Sequence, residues 1–186
     1  VVRFSSLFRD VVGQLWDDQT AHANYRSLDD MPESYGQCVP ASCLLFEQLE
    51  RRFPEERFEL VSGIVYLLGK TVLNNSVEIK SAGAHVWIGW HQYNVQDTGI
   101  IDVTSDQLVG TGLSACTIAT NEELLEGSVV YQAGRMFASV QELEAQFALR
   151  ELDVAQRIDL LRDRYDGYFQ YDLHGVAGVA TCEHVD

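Results

Sequence analysis

Apolar residues recur at helical spacing at the start of the chain. Phe4, Leu7, Phe8, Val11, Val12, Leu15 and Trp16 fall on one face, with Ser5 and Ser6 available as caps, which predicts an amphipathic helix over 4–16 packed on the core. Residues 17–37 break the pattern with Asp17-Asp18, Asp29-Asp30 and Pro32, a long polar loop of the kind that can wall a binding cleft. Helical periodicity resumes with Leu45, Phe46 and Leu49, and Pro54 after Phe53 acts as a stop. Pro40 sits just inside the start, where its missing N–H has no intrahelical partner to lose. Cys38 is thereby expected at a helix N-terminus.

The period then shortens to that of a strand. Residues 58–68 are rich in β-branched and aromatic types, and Asn74-Asn75 marks a turn. Over 84–91 the side chains alternate: His85, Trp87, Gly89 and His91 on one face, Val86, Ile88 and Trp90 on the other. Large apolar groups on both faces predict a central strand. Gly99–Thr104 reads as a second short apolar strand with Asp102 inside it. Were the two an antiparallel pair with His85 opposite Asp102, the turn would centre between Tyr93 and Asn94; the turn chemistry of Asp97-Thr98-Gly99 points later, so a bulge or asymmetric loop is needed.

Beyond Thr104, Thr120 or Asn121 can cap a short helix over 122–126, and 128–132 reads as a strand. Ser139-Val140-Gln141-Glu142 has the capping-box form and opens a helix through Phe147 and Leu149. Leu152, Val154, Ile158, Leu160 and Leu161 make a second helical pattern, while the stretch from Tyr165 past Gly175 and Gly178 has no clear period. These elements predict an α+β fold, with helices presenting Cys38 against an antiparallel sheet that carries His85 and Asp102. No repeat or interdomain linker interrupts it, so one domain over 1–186 is expected.

Composition narrows the function classes. At 186 residues, 46% hydrophobic and 22% charged, the chain is long enough for one substantial core. A net charge of −15 would repel phosphate backbones and anionic bilayers, so neither nucleic acid nor membrane is an expected partner. A protein or peptide, best with a basic surface, fits instead, although acidity also serves solubility alone. Nothing in the sequence speaks to oligomeric state. No apolar run reaches transmembrane length and no signal peptide is visible, and the initial Val1 suggests a processed product or an excerpt. Four cysteines (Cys38, Cys43, Cys116, Cys182) at this low density fit free thiols in the cytoplasm or in another reducing compartment into which the chain is delivered. A zinc site on Cys38 and Cys43 would need Cys182 and His184 at a spacing that matches no standard site, so no metal or cofactor is expected.

The chemistry that remains is thiol chemistry. Free amides and the dipole at a helix N-terminus favour a thiolate at Cys38, and a nucleophile of this kind calls for a base and an orienting acid. His85 supplies an imidazole. Asp102 is a carboxylate among Ile100, Ile101 and Val103, costly to bury without a partner such as that ring. His91 and Asp106 are the alternatives, but one lies near a strand end and the other looks like a turn residue. Cys43, followed by Leu44 and Leu45, reads as core.

Tyr35-Gly36-Gln37-Cys38, His85-Val86-Trp87-Ile88 and Ile101-Asp102-Val103-Thr104, in this order, resemble the transglutaminase-like branch of the papain-like thiol enzymes, over residues 35–104. The resemblance implies a papain-like domain with a Cys38, His85, Asp102 catalytic triad and a thioester intermediate formed on an amide substrate. Hydrolysis is expected first, as a glutamine deamidase or a peptidase, because eukaryotic transglutaminases carry tryptophan where this chain has Val39, which counts against cross-linking. The backbone N–H of Cys38 is the natural oxyanion donor. For the second donor Gln37 and Gln19 are the candidates, and Trp87 is a candidate for the cleft wall, although it and Trp90 read first as core. A catalytically silent papain-like binding module, or an interaction-based inhibitor supported only by its acidity, is the other class.

Overall fold

The computed structural model describes residues 1–22, 34–70, 77–91, 98–108, 110–149 and 151–175. Five antiparallel strands form one sheet: β1 (Arg57–Lys70), β2 (Val77–His91), β3 (Thr98–Asp102), β4 (Thr117–Thr120) and β5 (Val129–Phe137), in the order β4-β3-β2-β1-β5. Among the described residues five α-helices accompany it: α1 (Val2–Gly13), α2 (Cys38–Arg52), α3 (Asn121–Glu126), α4 (Val140–Phe147) and α5 (Val154–Gly175). The architecture is α+β.

Alternation along β2 sorts its side chains into two cores. Val86 and Ile88, with Leu60 and Ile101 of the flanking strands, meet Leu44, Leu45, Phe46 and Leu49 of α2, and α1, α4 and α5 close around them through Phe8, Leu143 and Ile158. Trp87 points the other way, into a second cluster with Val61, Val65, Ile100, Tyr131 and Leu124 of α3. Burial on both faces and partners on both sides make β2 a central strand, as its sequence predicts. Ser42 in α2 donates its hydroxyl to the Val86 carbonyl at 3.0 Å, which fixes the first turns of that helix beside the residue after His85.

Several boundaries differ from the sequence pattern. α1 stops at Gly13 because the next N–H groups bond three residues back, Gln14 to Val11 and Leu15 to Val12, and tighten the last turn; Trp16 still packs on the core from the loop. β2 begins at Val77 rather than 84, because its exposed, polar first half is paired throughout with the far end of β1. β4 was not legible: four residues at the sheet edge carry too short a pattern. α5 continues through the aromatic stretch, packing Tyr165 at a tilt on Phe8 at 5.4 Å and Phe169 edge-on to Tyr165 at 5.0 Å. At α4, Ser139 accepts from Glu142 N, but the Glu142 carboxylate takes Ala138 N; the reciprocal capping box forms instead at Thr120 and Glu123. Asn74-Asn75 and the turn between β2 and β3, including Tyr93, Asn94 and Asp97, lie outside the described residues.

Candidate functional site

The site starts at a turn. Gln37 N donates to Ser34 O at 2.9 Å, and Gly36, the third residue of that turn, has φ +78°, the type II geometry that favours glycine. The chain then enters α2 with Gln37 as N-cap and Cys38 as first residue, as the position of Pro40 predicts. Cys38 thus sits among backbone N–H groups that no preceding turn satisfies.

His85 and Asp102 meet deep beside it. Their strands pair with Ile88 opposite Ile101 and Trp90 opposite Gly99, two residues away from a direct opposition of His85 and Asp102. An even offset leaves both on one face, and the side chains close the diagonal: His85 Nε2 lies 2.7 Å from Asp102 Oδ2. Tyr131 of β5 donates its hydroxyl to the same oxygen at 2.7 Å. β5 and β3 stand three strand spacings apart, about 14 Å in a flat sheet, so this bond exists only because the sheet curls toward that face. The other oxygen, Oδ1, accepts from Thr104 N at 2.9 Å and from its hydroxyl at 3.0 Å. Four donors fill the capacity of a carboxylate, the condition under which such a group can be wholly buried.

A second network ties the imidazole to the turn. Gln107, in a 3-10 turn over Ser105–Gln107, accepts from Gly36 N at 3.1 Å, and its Nε2 donates to Thr104 Oγ1 at 3.1 Å. Those two bonds orient the amide so that Nε2 faces His85 Nδ1 at 3.0 Å. With Nε2 of the ring held by Asp102 and Nδ1 facing the Gln107 amide, the Cys38 side chain is a further electrostatic partner of His85.

Burial alone would depress the His85 pKa, but the Asp102 carboxylate beside it outweighs this and holds it up at about 10, with Cys38 acting in the same direction. Burial likewise works against the charge on Asp102, and His85, Tyr131 and Thr104 overcome it, keeping its pKa below the ordinary carboxylate value. Burial and the nearby Asp102 push the Tyr131 phenol far up, so it remains a donor. Among the other thiols, burial raises Cys43 well above an ordinary thiol and Cys116 to about 11, so neither is an activated nucleophile.

Cys38, His85 and Gln107 all line one cleft of about 650 Å³, while Asp102 lies behind His85 with no exposed surface. Comparison with protein-family models, curated proteins and solved structures finds no match to this chain.

That geometry corrects three expectations. The buried Gln37 gives its amide to the Asp17 carbonyl at 3.1 Å, away from the cleft, and Gln19 accepts from Arg164 at 3.0 Å on the surface, so neither is placed to hold an oxyanion. Trp87 is core, not cleft wall: it lies nearly parallel to His85 at 6.4 Å and edge-on to Tyr131 at 5.1 Å. Of the alternatives, His91 pairs with Glu59 at 3.0 Å and Asp106 with Arg9 at 2.9 Å, both outside the cleft. Cys182 and His184 lie outside the described residues. Sequence reasoning missed Tyr131, Gln107 and the bonding role of Thr104. A phenol in an apolar strand reads as core, but Gln107, an uncharged amide just after Asp102-Val103-Thr104, is at least close enough in sequence to have been considered.

Proposed function

We propose that this chain is a thiol-dependent acyl-transfer enzyme that hydrolyses amide bonds of a protein or peptide, on a papain-like, transglutaminase-like architecture. One observation carries the reading. A helix-start thiol and the Nδ1 side of an imidazole share a cleft, and the opposite ring nitrogen is held by a fully buried, four-fold hydrogen-bonded carboxylate.

In this reading the Cys38 proton already rests on His85 Nδ1, as the raised His85 pKa favours, and Sγ attacks the substrate carbonyl carbon from this thiolate–imidazolium pair. Asp102 keeps the Nε2–H tautomer in the neutral ring and stabilises the imidazolium that forms. The Cys38 backbone N–H stabilises the oxyanion. Gln107 is the second donor: a protonated Nδ1 does not accept from the Gln107 amide 3.0 Å away, so that N–H is left to serve the oxyanion. Nδ1–H then protonates the departing ammonia or amine as the carbon–nitrogen bond breaks, leaving a thioester. His85 next takes a proton from water, whose oxygen attacks the thioester; the product carboxylic acid leaves and the proton returns to sulfur.

The test is iodoacetamide alkylation at pH 6, where an ordinary thiol is almost wholly protonated, with peptide mass spectrometry to assign each cysteine. Cys38 should label at least about tenfold faster than the other thiols, and His85→Ala should abolish the difference. Labelling at the same rate as Cys116, indifferent to His85, overturns the reading and leaves a binding module.

A further inference from the structure

Behind the imidazole lies a contact that the chemistry above does not use. Gln107 belongs to the 3-10 turn over Ser105–Gln107, where three residues complete a turn and successive side chains point about 120° apart. Each of the three reaches a different part of the fold. Ser105 Oγ lies 2.6 Å from the Ser114 carbonyl and 2.9 Å from Thr117 Oγ1. Gln107 meets Gly36, Thr104 and His85. Asp106 turns away from the cleft, and Arg9 of α1 donates from Nη2 to its Oδ2 at 2.9 Å.

That bond anchors the carboxylate. The second oxygen, Oδ1, is buried and has no hydrogen-bond partner among the described residues. Exposed ion pairs contribute little, because holding two mobile side chains costs entropy. This pair is restrained beforehand: its side chains are only 14% and 25% exposed, and the guanidinium lies 4.2 Å over the Trp16 ring. Gly13 completes the seat. A Cβ there would lie 2.4 Å from Arg9 Nη1, so a larger residue would push the guanidinium aside. Glycine weakens a helix, and in the last turn of α1 its missing Cβ leaves the room that Arg9 occupies.

A donor to an oxyanion has to be in place before the charge develops, and a small displacement is costly. Bonds to Gly36 and Thr104 orient the Gln107 amide, but how far it reaches depends on where the backbone of its turn sits. Ser105 secures that turn only to the residues that follow it in sequence. Arg9 ties it to α1, a helix packed into the main core through Phe8 and Val12.

We propose that Arg9 is a positioning residue for the Gln107 amide: through Asp106 it fixes the turn at the depth from which Nε2 reaches the oxyanion. This rests on the reading of Cys38 as the nucleophile and Gln107 as the second donor, and it extends the working parts of the site to α1.

The experiment compares two reagents at Cys38 on the full chain, with Cys38→Ala protein as the blank. Iodoacetamide is attacked at a saturated carbon and loses iodide, so no oxyanion develops. p-Nitrophenyl acetate is attacked at its carbonyl, passes through an oxyanion, and releases p-nitrophenolate as the acetyl thioester forms. The ratio of acylation to alkylation rate constants therefore reads oxyanion stabilisation apart from thiolate reactivity. Gln107→Met should lower the ratio about 10²-fold. Arg9→Met keeps an alkyl stem against Trp16 and should lower it about tenfold, with the iodoacetamide rate within about twofold of wild type. In a Gln107→Met background Arg9→Met should change the ratio no further, because residues acting as one unit are not additive. Gly13→Ala removes no charge and favours the helix; its urea midpoint should not fall, while the ratio drops about threefold as the guanidinium is displaced.

An unchanged ratio in folded Arg9→Met protein overturns the proposal. So does an equal fall with and without Gln107, which is what a purely structural role of Arg9 would give. Should Arg9→Met not fold, Gly13→Ala decides, and an unchanged ratio there overturns the proposal. Failure of the underlying reading is distinguishable, since it appears before Arg9 is touched: as alkylation indifferent to His85→Ala, or as a ratio indifferent to Gln107→Met, either of which sinks the reading and the proposal together.

Discussion

Asp102→Asn is the perturbation that most directly tests how the imidazole is held. The exchange is isosteric, and the donors around Asp102 dictate how the new amide must sit. Thr104 N and Thr104 Oγ1, at 2.9 and 3.0 Å from Oδ1, both donate, so the amide oxygen takes that side. The NH₂ group then faces His85 Nε2 and Tyr131 Oη, each 2.7 Å from the present Oδ2. Tyr131 can turn its oxygen to accept, leaving its own proton unpaired at a cost of about 1–3 kcal/mol, so the protein should still fold. His85 has no equivalent freedom. Its Nε2 must become an acceptor, which moves the ring proton to Nδ1, the atom that takes the Cys38 proton in the proposed mechanism. An inverted tautomer of this kind costs roughly 10⁴ in kcat, about 5.5 kcal/mol of transition-state stabilisation. Two assays follow it: kcat on the peptide or glutamine amide that screening selects, and ¹⁵N NMR of labelled histidine, which reports the protonated ring nitrogen without any substrate. The wild type should carry a proton on Nε2, and at a pH where its ring is neutral the Asp102→Asn protein should carry it on Nδ1 alone. A variant within about tenfold of wild-type kcat, or one whose neutral ring keeps Nε2–H, would refute the reasoning.

Three further outcomes are expected. Gln107→Met keeps the side-chain volume but removes the donor facing Nδ1; kcat should fall about 10²-fold with little change in KM, whereas a purely turn-holding role through Gly36 would change stability alone. Tyr131→Phe removes one of two donors to Asp102 Oδ2, so it should raise the Asp102 pKa, followed by ¹³C NMR of the carboxyl carbon, and destabilise the fold by about 1.5–3 kcal/mol in urea unfolding. The His85–Asp102 pair should also shape stability against pH. His85 is raised when folded, so its contribution is fully present below the unfolded value of 6.5 and is lost as pH rises toward about 10. Asp102 is lowered, so its contribution is present above 3.8 and is lost as pH falls through its folded value. Urea midpoints from pH 3 to 10 should therefore fall at both ends in the wild type, and Asp102→Asn should flatten both limbs.

What the sequence by itself determined is what depends on residues near one another along the chain. The helix start at Cys38 follows from Pro40 and the Leu45, Phe46, Leu49 period, which act over a few turns. Alternation over 84–91 sorts Val86 and Ile88 from Trp87 into different cores, and parity alone puts His85 and Asp102 on one face whatever even offset the register adopts. An apolar strand around a carboxylate announces a buried partner, because desolvation makes an unpaired one too costly. Only the tertiary structure decided which groups complete that partnership. Tyr131 reaches Asp102 across two intervening strands because the sheet curls, and curl is a property of all the strands together. Gln37, adjacent to Cys38 in sequence, is turned away to Asp17, while Gln107, far along the chain, is brought to the imidazole by its bond to Gly36. Which of two chemically identical amides enters a site depends on where each backbone is anchored, and those anchors are long-range contacts that no local period encodes.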